Sequence, residues 1–151
     1  MDLFYTVRQH VLKELDGMVA GGELPAGLDM TSVAVEPPRD PLHGDMATNA
    51  AMVLSKSAKK NPREIAENLA NRLSSVDIIE NSQVAGPGFL NLRISIKAWQ
   101  SNLSKILELG SNYGRTGLGK NLRVNVEFVS ANPTGPLHVG HTRGAVFGDA
   151  L

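Results

Sequence analysis

The chain has 151 residues, 42% of them hydrophobic and 20% charged, and its 15 basic and 15 acidic side chains cancel. That is enough apolar material for one domain, or for a small domain and part of another, and it excludes bulk disorder. The neutral balance excludes a global positive field, so any nucleic-acid contact must come from a local patch. The absence of cysteine excludes disulfides, thiolate zinc sites and thiol nucleophiles.

Leu3, Val7, Val11, Leu12, Leu15, Met18 and Val19 recur at helical spacing, with Asp2 as N-cap and Gly21-Gly22 as the stop. Asp2, Arg8, Lys13 and Glu14 lie within that pattern, which is therefore neither a signal peptide nor a membrane span; a soluble protein of the cytoplasm is expected. Val33 and Val35 alternate as a short strand that ends at the proline-rich run 36–41. Asp45 is expected to cap a second helix running from Ala47 to about Ser57. Asn61-Pro62, followed by Glu64, predicts the start of a third helix with Ile65, Leu69 and Leu73 on one face. A strand is expected near 78–85, a tight turn at Gly86-Pro87-Gly88, and a further strand from Phe89 to Ile96. In that strand Asn91, Arg93 and Ser95 take the face opposite Leu90, Leu92 and Ile94. A fourth helix carries Trp99, expected in the core, with Leu103, Ile106 and Leu107, and stops at Gly110. Several strands are separated by turns too short for a helical crossover. The expected fold is therefore α+β, an antiparallel sheet with helices packed on it, over residues 1–110.

Residues 111–121 are polar and Gly-rich and are expected to be a linker. Leu122, Val124, Val126, Phe128 and Val129 then predict a strong strand, a loop follows, and a helix begins near His138. One strand, loop and helix cannot bury both faces of a parallel sheet, so 122–151 is expected to be the start of a truncated Rossmann-type domain.

The loop and helix carry the most chemistry. The strand delivers Glu127 near its C-terminal end, where open α/β sheets bind ligands. The helix start offers free N–H groups and partial positive charge, an anion site. His138 and His141 share a face of its first turn, and Gly140 leaves room for a planar ring against the backbone. Gly144 and Gly148 recur on one side and allow close packing. Two histidines at this spacing are also metal-ligand chemistry, but no third or fourth ligand is nearby, so no metal site is expected. Lys56, Lys59, Lys60 and Arg63 form the one dense basic run, either a solvated helix end or a phosphate patch.

His138-Val139-Gly140-His141 resembles the "HIGH" signature of class I aminoacyl-tRNA synthetases. The longer string Glu127-Phe128-Val129-Ser130-Ala131-Asn132-Pro133-Thr134-Gly135-Pro136-Leu137-His138-Val139-Gly140-His141 is similar to arginyl-tRNA synthetases. His43-Gly44-Asp45-Met46-Ala47-Thr48-Asn49 and Gly86-Pro87-Gly88-Phe89-Leu90-Asn91 resemble that family's N-terminal additional domain. The resemblance implies activation of arginine by ATP, accompanied by Mg2+, and its transfer to the terminal adenosine of the arginine tRNA, with no prosthetic group. It implies that His138 contacts ATP phosphate, that His141 stabilises charge developing at the α-phosphate, and that Gly140 belongs to the ATP site. It implies that Glu127 takes the guanidinium, that Ser130 and Asn132 line the arginine site, and that Asn91 reaches arginine from the N-terminal domain. The alternative for Glu127 is a structural salt bridge, and for Asn91 a bond to turn backbone. The family's N-terminal domain touches the tRNA elbow around the D-loop, so the basic run becomes a tRNA-contact candidate. The whole enzyme is expected to be a monomer and this segment inactive by itself, with its tail a surface for association. A non-catalytic tRNA-binding module and another His-x-Gly-His nucleotidyl-transfer enzyme, cytidylyltransferase-like, are the alternatives.

Overall fold

A computed structural model describes residues 2–38, 40–115, 117, 119–132 and 134–150. Arg39 of the proline-rich run, Thr116 and Leu118 of the expected linker, Pro133 of the signature loop and Leu151 lie outside them. The chain divides into two compact units, Met1–Arg115 and Thr116–Leu151.

In the first unit, helix α1 (Leu3–Ala20) buries Leu3, Val7, Val11, Leu15 and Met18 along one stripe. The Asp2 carboxylate accepts the Tyr5 N–H at 2.7 Å and so closes the helix's first turn. Strand β1 (Val35–Glu36) is shorter than the alternation suggested, and a 3-10 turn spans Pro41–His43. Strand β2 (Met46–Thr48) stands where a helix was expected, and helix α2 (Ala50–Ala58) begins only after it. The reason is that Asp45 does not cap a helix. Its carboxylate accepts the Ile94 N–H at 2.8 Å and lies 3.5 Å from the Arg93 guanidinium, tying this segment to a strand distant in sequence. Helix α3 (Pro62–Leu73) starts as expected, with the Asn61 side chain accepting the Arg63 N–H at 2.9 Å.

Strands β3 (Ile79–Ala85) and β4 (Phe89–Ile94) form a hairpin, and helix α4 (Ile96–Leu109) follows from a Ser95 cap. The four strands pair antiparallel in the order β1-β2-β4-β3. Thr48 stands opposite Leu90 and Met46 opposite Leu92, and all four are buried with Ile94. The first three helices cover this face of the sheet. Because side chains alternate along β4, Phe89, Asn91 and Arg93 take the other face.

Trp99 is not a core residue. Helix α4 buries only Ala98, while Trp99 is 38% exposed and Ile96, Leu103 and Leu107 are more so.

In the second unit, residues 122–130 form no strand, although their apolar residues alternate as a strand's would. A strand is a shared ladder, and no neighbouring segment offers them one among the described residues. Helix α5 (Val139–Ala150) forms as expected. A Cβ on Gly148 would overlap the Phe128 side chain, so this glycine does admit the close approach of helix and preceding segment.

Candidate functional site

Two concavities hold some of the predicted site residues, one in each unit. In the second unit, Ser130, Ala131, Asn132, Thr134, Gly135, Pro136, His138 and His141 line a cleft of about 510 Å³. The loop ends in α5, and the Thr142 and His141 N–H groups both close onto the His138 carbonyl, at 3.2 and 2.9 Å. His138 is thus the helix's N-cap residue, and His141 lies three residues into it. Their rings stack with centroids 3.7 Å apart and planes 26° from parallel. The planar ring expected against Gly140 is the His138 imidazole itself, whose Nδ1 accepts the Gly140 N–H at 3.2 Å. His138 is exposed and His141 half-buried, so both are open to a ligand.

Glu127 is exposed, as are Leu137, Val139 and Gly140, and none of these four lines the cleft. The structure therefore brings together Ser130, Asn132 and the two histidines but leaves Glu127 outside. Among the described residues no three His, Asp or Glu side chains converge as a metal site.

In the first unit a cleft of about 450 Å³ opens on the sheet face opposite the helices. Asn91 lines it and is 9% exposed; Phe89, two residues earlier on the same face, is 44% exposed and lines it as well. Glu36, His43, Thr48 and Asn49 complete its polar lining. Sequence reasoning singled out Asn91 but did not assign site roles to Phe89, Glu36 or His43. The signal available for Phe89 was its period-two relation to Asn91 on an otherwise polar strand face. Asn49 is partly occupied with structure: its side-chain oxygen accepts the Ala34 N–H at 2.8 Å.

The basic run is partly neutralised. Lys60 lies 3.3 Å from Glu64 and Arg63 3.1 Å from Glu67, both one helical turn apart. Lys56 and Lys59 are exposed at the end of α2, with Lys59 in the left-handed conformation that closes that helix.

Residues 6–94 match the family model for the arginyl tRNA synthetase N terminal domain. The chain belongs to this family. Over its whole length it is 62% identical to arginine–tRNA ligases of Cereibacter sphaeroides and Roseobacter denitrificans, and spans 26% of each. Among solved structures, Thermus thermophilus arginyl-tRNA synthetase superposes over 98% of this chain and 22% of its own, with a TM-score of 0.51 at 25% identity. Arginyl-tRNA synthetase from Plasmodium falciparum superposes over 99% and 28%, with a TM-score of 0.61 at 15% identity, a likeness of fold. The α+β architecture expected of the family's N-terminal domain is the one observed, helices on a four-stranded antiparallel sheet. Among the described residues no helix is long and apolar enough to cross a membrane.

Proposed function

We propose that this chain is the N-terminal portion of an arginine–tRNA ligase, a cytoplasmic enzyme that activates arginine with ATP and passes it to the terminal adenosine of its tRNA. The observation that carries the reading is the stacked imidazole pair at the opening of α5, in a chain similar over its full length to such ligases. In the first half-reaction a carboxylate oxygen of arginine attacks the α-phosphorus of ATP and pyrophosphate leaves. In the second, a ribose hydroxyl of the tRNA attacks the arginyl carbonyl and AMP leaves.

His138 and His141 act on the first step as donors fixed where negative charge develops, and the helix opening adds its own partial positive charge. Ser130 and Asn132 share their cleft and are placed to hold the α-ammonium or carboxylate of arginine. Glu127 takes the guanidinium through two parallel hydrogen bonds, the geometry a carboxylate offers. Residues 122–151 then open a Rossmann-type catalytic domain preceded by a linker near 111–121 and by a tRNA-contacting domain over 1–110. The segment is inactive alone and the whole enzyme is a monomer.

In the first unit we read the cleft as the tRNA contact, at the elbow around the D-loop. An exposed aromatic beside a carboxamide suits an unpaired base, which stacks on one and hydrogen-bonds to the other. Lys56 and Lys59, with Lys60 and Arg63 behind their carboxylates, would meet the backbone. Asn91 is where two readings part. The resemblance assigns it to arginine, whereas its place beside Phe89 favours a base.

The test is made in the complete ligase. Replacing His138 and His141 together by alanine should slow ATP–pyrophosphate exchange by roughly 10²–10³-fold. Phe89→Ala should leave exchange intact and raise KM for tRNA. Unchanged exchange in the double variant, or exchange supported by a different amino acid, overturns the assignment.

A further inference from the structure

The spacing of the signature has a local structural reason. Helix α5 opens at Val139, so His138 is the N-cap, Gly140 the second helical residue and His141 the third. The His138 Nδ1 accepts the Gly140 N–H at 3.2 Å, and the His141 Nδ1 accepts the His138 backbone N–H at 3.4 Å. The second of these bonds is the one a Glu or Gln makes back to a Ser or Thr N-cap; the first differs, because the N-cap ring takes the N–H of the second helical residue and not of the third. The glycine is part of the arrangement. A Cβ at position 140 would fall 3.0 Å from the His138 Cε1 and 3.1 Å from its Nδ1, so the ring occupies the space a side chain would need. A ring nitrogen that accepts an N–H cannot carry a proton itself, so each neutral ring holds its proton on Nε2.

We propose that His138, Gly140 and His141 form a paired imidazole cap that fixes both rings as Nε2–H donors toward the nucleotide's phosphates, with Gly140 as a positioning residue. This rests on reading the opening of α5 as the ATP site. The Gly140 N–H is already taken by the His138 ring, so an arriving phosphate meets two aimed imidazole donors in place of that bare backbone group. Holding the rings before the nucleotide arrives removes their rotational freedom from the cost of binding.

Selective nitrogen-15 labelling of histidine in this chain tests the cap directly, at a mildly alkaline pH where imidazole is neutral. Both rings should show an unprotonated Nδ1 and a protonated Nε2, with the amide protons of Gly140 and His138 slowed in exchange. Gly140→Ala should release those two amides. Alanine favours the helix more than glycine does, so the release cannot be blamed on a lost helix. A ring protonated on Nδ1, or a Gly140 amide equally protected in the variant, overturns the proposal. In the complete ligase Gly140→Ala should weaken ATP binding roughly three- to tenfold, the worth of one such hydrogen bond; unchanged affinity also overturns it. If the double alanine variant loses exchange while the rings prove unfixed, the cap alone is wrong. If the rings are fixed while the double variant exchanges normally, the ATP site itself is misplaced.

Discussion

Strand β4 and residues 122–128 carry the same apolar alternation and end differently. Leu90, Leu92 and Ile94 are at most 2% exposed, whereas Leu122, Val124, Val126 and Phe128 are 41–75% exposed. The difference lies in the neighbours. Strand β4 has β2 on one side and β3 on the other, each satisfying its backbone groups, and helices α2 and α3 over its apolar face. Alternation decides which side chains share a face; it cannot supply the ladder that makes a strand. The unit with the thinner apolar packing nevertheless carries contacts closed within four residues, those among His138, Gly140 and His141.

The comparison can be broken by mutation. Leu69 is fully buried among the helices of the first unit, and Leu69→Ala should cost about 2–5 kcal/mol of stability through lost burial and the cavity left behind. Val124→Ala, at a side chain 75% exposed, should move stability by no more than about 0.5 kcal/mol. Urea denaturation of this chain followed by far-ultraviolet circular dichroism measures both. Equal losses would mean that residues 122–128 are packed as tightly as β4.

How much was legible follows the same division between local and distant causes. The Asp2 and Asn61 caps were readable because their acceptors lie within three residues of the groups they satisfy. Asp45 was misread because its partner, the Ile94 N–H, is 49 positions away and competes successfully with a local helix start. Trp99 was misread because an apolar helical stripe was assumed to face the core, whereas α4 fully buries only Ala98. That the two histidines share a face was legible from their spacing, and their rings do stack. The grouping of Phe89 and Asn91 with Glu36 and His43 was not legible, since it depends on the sheet's register and on the loop ahead of β2.

A smaller effect tests how firmly the β3–β4 turn is seated. Gly88 has φ of 151°, and a Cβ there would lie 2.8 Å from the Pro62 Cβ and 2.9 Å from its backbone carbon. Gly88→Ala combines a conformation that side chains avoid with contact against an unyielding helix start, and should cost about 1–3 kcal/mol. The loss should appear in the same denaturation assay. A neutral result would show that this turn can move away from α3.

The smallest expected effect lies at Asp29, in an exposed loop of the first unit. Its carboxylate accepts the Thr31 hydroxyl at 2.6 Å and the Thr31 N–H at 2.9 Å, and the hydroxyl bond is the larger cause of a pKa below the usual 3.8. A depressed carboxylate pKa means the folded chain holds the proton less tightly than the unfolded one. The contribution is therefore complete above about pH 3.8 and fades as pH falls through the lower folded value. Asp29→Asn removes the titrating group, so the variant should lag the parent chain's stability slightly near neutrality and converge with it in acid. Urea midpoints taken across that interval read the difference. A gap that stays constant into acid would mean the bonds to Thr31 depend on shape and not on charge, and that this loop, unlike the ion-paired helix ends of α3, is indifferent to its carboxylate's ionisation.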